Sequence, residues 1–186
     1  MPSQKEKLQR FELSASFELP ATFSREIGRI LVHWAYLEHS LQRLIWFLLE
    51  ISEPEGRVAV REPRVEDRFD MIRDLADLKS VPLDKKAWAG VKKECEKVRT
   101  YRDLVAHGLW VLYPDDIWRV QQLRGQHTEN VEGPPHRSRR IAPGTVLITL
   151  DGLRRTTQHI KTVIEGLIPL EKRIVERLGS SPETPL

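Results

Sequence analysis

SREIGRILVHWAYLEHSLQRLIWFLLEIS, residues 24–52, sets Ile27, Ile30, Leu31, Trp34, Leu37, Leu41, Leu44, Ile45 and Leu48 at spacings of three and four. That spacing follows the 3.6-residue turn of an α-helix, so the stretch predicts one long amphipathic helix. Ser24 is the expected N-cap and the helix should end near Ser52. A stripe of this length must be covered by other helices, which places the chain among helical bundles.

Reading outward, Pro54 and Gly56 punctuate the chain, and Pro63 opens a second helix. Its inward face carries Val65, Phe69, Ile72, Leu75 and Leu78, and it stops before Pro82. Asp84 caps a third helix with Trp88, Val91, Cys95, Val98 and Val105 as its stripe, and Gly108 terminates it. The period then becomes extended. Leu109 to Tyr113 and Ile117 to Leu123 flank Pro114, Asp115 and Asp116, which reads as a hairpin. A basic loop at 124–143 leads to a third strand at Thr145 to Leu150, and Asp151 begins a last helix carrying Ile160, Ile164, Leu167, Ile174 and Leu178. Pro169 is expected to kink or break that helix.

The fold class is therefore mainly α: a bundle of about four helices with a small three-strand insertion before the last helix. Residues 1–20 form an N-terminal arm, with a short ordered piece at Phe11 to Leu19; 21–107 and 151–179 form the bundle; 108–150 hold the β insertion and its basic loop; 180–186 are a tail. Trp110 and Trp118 read most simply as packing residues over one end of the bundle.

With 186 residues, 40% hydrophobic and 31% charged, the chain suits one globular domain with a real core. Its longest apolar run, Leu44 to Leu49, ends at Glu50, far short of the roughly 20 residues that cross a bilayer. No membrane span is expected. MPSQKEKLQR lacks the apolar centre of a secretory signal, and a single cysteine cannot form an internal disulfide, so the default location is cytoplasmic.

A net charge of +3 is too small for a chain that coats nucleic acid indiscriminately, so RNA binding has to be local. The local candidate is the cluster His136, Arg137, Arg139 and Arg140, whose plainer reading is a solvated loop. His33, His39, His127, His136 and His159 show no zinc-like spacing, so no metal is expected. A phosphate-binding glycine loop, a GxSxG elbow and paired CxxC are all absent, and no cofactor is implied. Cys95 lies in an apolar stripe and reads as core rather than nucleophile.

Two charges stand where the helical pattern wants carbon. Glu38 falls between Trp34, Leu41 and Ile45, and Arg102 aligns with Trp88, Val91, Cys95 and Val98. Both should face inward, and unpaired charges there are costly, so the economical expectation pairs them. A bridge that only sets register is the plain alternative. The neighbourhood adds chemistry: Arg99 precedes Arg102 by a turn, Asp103 follows it, and His107 ends the helix beside Gly108. An imidazole there can shuttle protons near neutral pH.

The run Arg102, Asp103, Leu104, Val105, Ala106, His107, Gly108 resembles the signature of the HEPN family: an arginine, a polar residue after it, and a histidine four to six residues on. The resemblance takes in the long first helix with its inward acid, so it covers roughly residues 22–108 and the last helix. It implies a helical bundle that cuts RNA without metal, two subunits lining one cleft, and work as a toxin or defence effector with an antitoxin as candidate partner. Attack of a 2′-hydroxyl on the adjacent phosphate leaves a 2′,3′-cyclic phosphate and a 5′-hydroxyl. On this pattern His107 transfers the proton and Arg102 stabilises phosphoryl charge. Asp103 or Glu38 orients them, Arg99 supports, and Arg137, Arg139 and Arg140 bind RNA. The same spacing recurs at Arg154 to His159, where Arg155 replaces the acid or amide, and reads as a solvated helix face. Two alternatives stay open: a HEPN-like nucleotide-binding, RNA-binding or dimeric interaction module that cuts nothing, and a helical interaction protein with a structural ion pair.

Overall fold

The computed structural model describes residues 19–60, 63–112, 118–122 and 144–179, with the backbone alone described at 111–112, 118–122 and 144–146. The expected N-terminal piece from Phe11 as far as Glu18, the hairpin turn and the basic loop with Arg137, Arg139 and Arg140 lie outside the described residues.

Helix α1 runs Ala21–Leu49. It starts three residues before the expected N-cap because the Pro20 carbonyl accepts from the N–H groups of Phe23 and Ser24, at 2.8 and 3.1 Å. Glu50 ends it in the left-handed region at φ 56°, where the Ile51 N–H turns back to the Trp46 carbonyl at 3.2 Å. The stripe from Ile30 through Trp34, Leu37, Leu41, Leu44 and Ile45 to Leu48 is buried. Leu31, assigned to that stripe by spacing, is 38% exposed and sits off it.

A short helix α2, Glu53–Ala59, occupies what the sequence suggests is mere punctuation. Ser52 and Glu55 form a capping box, the Ser52 N–H donating to Glu55 Oε2 at 2.9 Å. Gly56 is buried against the Trp46 indole, into which any Cβ would collide. Helix α3, Val65–Leu78, buries Val65, Phe69, Ile72 and Ala76. Ala76 rather than Leu78 takes the inward place one turn after Ile72, leaving Leu78 76% exposed.

Helix α4, Lys85–His107, begins as expected: Asp84 accepts from the N–H groups of Lys86 and Ala87, each at 3.0 Å. Gly108 ends it at φ −82°, so the stop comes from the chain turning straight into a strand and not from a left-handed glycine. Strands β1 (Leu109–Leu112), β2 (Trp118–Gln122) and β3 (Gly144–Leu147) form an antiparallel sheet in that order, with Trp110 opposite Val120 and Val120 opposite Val146. The third strand is shorter than its spacing suggests, because Thr149 instead caps α5, accepting from the Gly152 N–H at 3.0 Å. Helix α5 runs Leu150–Leu178 and continues through Pro169 without breaking. Pro169 and Glu165, whose carbonyl loses its donor there, are both exposed, so water can take that bond.

The expected class is the one the chain adopts, a mainly helical bundle with a small sheet before the last helix. Helix α1 packs on α5 and α3, and α4 closes the bundle against α5. Ile30, Leu37, Leu41, Ile45, Ile72, Ile160 and Ile174 are completely or almost completely withdrawn from water; each such side chain contributes roughly 1.5–3 kcal/mol. No described helix is long and apolar enough to cross a membrane.

Candidate functional site

The last three turns of α4 carry Arg99, Arg102, Asp103 and His107. Residues four apart share a helix face, so Arg99, Asp103 and His107 form one stripe, while Arg102 turns toward the seam with α1. Asp103 serves two arginines. Its Oδ1 accepts from Arg102 Nη1 at 3.0 Å, and its Oδ2 lies 3.8 Å from Arg99 Nε. Arg99 also forms an ion pair with Glu66 of α3. A continuous polar chain therefore links α3, through Arg99 and Asp103, to Arg102.

Arg102 has three quarters of its side chain buried and lies over the Trp34 ring of α1, its guanidinium carbon 5.5 Å from the ring centroid. That is cation–π range, and partial withdrawal from water strengthens the attraction. Arg102 Nε and Trp34 Nε1 are buried donors with no acceptor among the described residues. Such groups cost about 1–3 kcal/mol each unless a water or ligand oxygen meets them.

The expected pairing of Glu38 with Arg102 is not formed. Arg102 takes Asp103 and the indole, while Glu38 is half-buried in a shallow groove between α1 and α3 beside His39, Gln42 and Arg68. Its backbone carbonyl accepts from Arg68 Nη1 at 2.8 Å. A long arginine reaches several neighbours, and the adjacent carboxylate is the nearer. His107 occupies the last turn and is exposed. Five residues along a helix separate Arg102 and His107 by about 7.5 Å of rise and about 140° of rotation, so one face does not present both. The structure thus joins Arg99, Arg102 and Asp103, places His107 one turn past Asp103, and leaves Glu38 apart.

Several residues escaped the sequence reading. Trp34 looked like core packing, and Glu66 had no signal before α3 and α4 were docked. Glu26 and Arg68 are buried charges that the periodicity could have flagged: Glu26 stands one turn before Ile30, and Arg68 stands one turn after Val65. Glu26 accepts from Arg29 Nη1 at 2.8 Å, and Arg68 Nε donates to the Pro63 carbonyl at 3.2 Å. Cys95 is buried, and that burial, with the charges of Glu96 and Glu38, pushes its thiol up to about 12, which removes it as a nucleophile near neutral pH. Among the described residues no group of three or more His, Cys, Asp or Glu is placed to hold a metal ion.

No protein-family model, curated protein or solved structure matches this chain.

Proposed function

We propose that this chain is a HEPN-like endoribonuclease, acting in the cytoplasm as a toxin or defence effector, with RNA, a second copy of itself and an antitoxin as its candidate partners. The observation that carries the reading is Arg102: a guanidinium braced by Asp103 on one side and the Trp34 ring on another, with a buried Nε that has no acceptor among the described residues. A phosphate oxygen suits the exposed quarter of this guanidinium, because a planar fork of donors matches phosphoryl geometry and a cation already held in place needs little reorganisation as charge develops, while the buried Nε stays out of its reach.

In the proposed reaction an RNA 2′-oxygen attacks the neighbouring phosphorus while its proton passes to an imidazole. The bond from phosphorus to the 5′-oxygen breaks, and that oxygen takes the proton from the imidazolium so formed, leaving a 2′,3′-cyclic phosphate and a 5′-hydroxyl. His107 is the proton carrier and Arg102 the stabiliser of phosphoryl charge. Asp103, with Arg99 behind it, holds the guanidinium in place. Because Arg102 and His107 leave the helix on different sides, a pair of facing chains brings a guanidinium and an imidazole to one phosphate more readily than one chain does. The scheme uses no metal.

The test is incubation of a mixed RNA pool with the wild-type chain and with His107→Ala in EDTA, across about pH 6 to 9, where an imidazole changes charge. Cyclic-phosphate ends from the wild type alone support the reading. Intact RNA, or equal cutting by the variant, ends it. Solution mass tests the dimer.

A second reading has an observation of its own. Both arginines already hold carboxylates, Arg99 on Glu66 and Arg102 on Asp103, so the array also suits a non-catalytic HEPN-like nucleotide-binding, RNA-binding or dimeric module. RNA retention without cleavage, weakened by Arg102→Met, distinguishes it.

A further inference from the structure

On the side of α4 opposite Arg99 and Asp103, the helix meets the end of β3 and the first turns of α5 around a cleft of about 430 Å3. That volume lies within the roughly 300–1,000 Å3 of small-molecule sites. Its buried apolar lining is Val98, Ile148 and Leu153, at 3%, 6% and 1% exposure. Two more large side chains line it while staying open to solvent, Tyr101 at 53% and Leu147 at 55%. Exposed apolar groups at the wall of a concavity are surface that a ligand ring can cover.

The polar lining carries charge. Lys97 and Arg155 line the cleft with Glu94 and His159, and Asp151 stands beside Arg155 just outside the lining. Lys97 pairs with Glu94 Oε1, His159 Nδ1 lies 3.8 Å from Glu94 Oε2, and Arg155 Nη2 lies 2.6 Å from Asp151. These pairs are exposed, and such contacts hold their partners weakly. A lysine ammonium carries three donors and a guanidinium five, so each cation keeps spare donors for an incoming oxyanion. Thr149 Oγ1 accepts from the Gly152 N–H and keeps its own proton to donate, whereas Thr156 Oγ1 already donates to the Gly152 carbonyl at 2.9 Å. Recognition falls to the cations for charge and to Tyr101 and Leu147 for shape.

We propose that this cleft binds a small organic oxyanion built on an apolar ring, the ring against Tyr101 and Leu147 and the phosphate or carboxylate at Lys97 and Arg155. A bare inorganic anion leaves the apolar wall uncovered, and a neutral ring leaves the cations unused. The site shares no residue with the Arg102 array, so it stands or falls independently of RNA cleavage.

The experiment is an amide NMR titration of the full chain with phenyl phosphate, benzoate, inorganic phosphate and phenol. Phenyl phosphate or benzoate is expected to move the Thr149 and Gly152 resonances and to bind about tenfold more tightly than inorganic phosphate or phenol, since only they use both halves of the site. Whichever of the two binds better identifies the anionic group. Joint Lys97→Glu and Arg155→Glu reversal should weaken binding by about tenfold or more, and Tyr101→Ala by a few fold. Lys79→Glu, remote from the cleft, should leave it unchanged. All four positions are exposed or partly so, and an unaltered amide spectrum elsewhere verifies the fold of each variant. The proposal is overturned if neither ring-bearing anion shifts those amides at about 10 mM, a weak limit even for fragments, or if the charge-reversed chain binds as tightly as the wild type.

Discussion

Arg102 lies over the Trp34 ring with 5.5 Å between guanidinium carbon and ring centroid, and the two residues, on different helices, stand 68 positions apart in the chain. The contact gives the cation a fixed platform, and Asp103 fixes it from the side.

The first prediction concerns that cation. Under the proposed ribonuclease reading, Arg102→Met should lower RNA cleavage by about 100-fold or more, the usual cost of removing one donor from a developing oxyanion. Arg102→Lys should fail to restore it, because an ammonium lacks the planar fork and the stacking face. Full activity in the lysine variant, measured as initial rate of cyclic-phosphate formation, would contradict this role.

A second prediction separates the partner found from the partner expected. Chemical denaturation of the Asp103→Asn, Arg102→Met cycle should show a coupling of about 0.5–3 kcal/mol, whereas Glu38→Gln with Arg102→Met should be additive within about 0.5 kcal/mol. Strong coupling to Glu38 would mean that the side chains rearrange in solution.

Cys95 supplies a pH dependence. Its thiol, pushed up from about 9 to about 12 by burial, with Glu96 and Glu38 adding to the effect, stays neutral in the fold while an unfolded chain ionises first. The stability tied to that proton is whole below pH 9 and drains away as pH climbs toward 12. Denaturation midpoints of wild type and Cys95→Val should diverge over that window alone, with the variant losing less. Rapid alkylation of the native protein by iodoacetamide at pH 8 would show that the thiol is not sheltered.

With RNA as the proposed partner, neutralising Arg137, Arg139 and Arg140 together should weaken its binding and reduce the salt dependence, each lost phosphate contact flattening the logarithmic slope by about 0.7 for single strands. An unaltered slope removes these three arginines from the proposed RNA contacts.

Sequence spacing revealed the long helices because their stripes are continuous: Ile30, Trp34, Leu37 and Leu41 repeat through turn after turn, and Asp84 announces α4 chemically. It missed α2, since Pro54 and Gly56 look like breakers until Ser52 and Glu55 are seen to cap a turn and Gly56 to lie against Trp46. For the candidate site, the inward aim of Arg102 was legible from Cys95 and Val98 ahead of it. Its partner was not. Periodicity places a Cβ on a face, but a guanidinium several bonds further out chooses between Asp103, Glu38 and an indole by distances that only helix docking sets. The cleft between α4 and α5 was hidden for the same reason: Lys97, Tyr101, Arg155 and His159 look like solvated faces on either helix alone.

The corner where Gly56 lies against Trp46 carries an evolutionary corollary. With the indole filling the place where a β-carbon would stand, neither position can drift freely: a larger residue at 56 becomes tolerable only after the ring at 46 has shrunk, and a smaller residue at 46 opens a void that a side chain at 56 can refill. Related chains should therefore exchange these two residues as a compensating pair, the glycine retained wherever the tryptophan is.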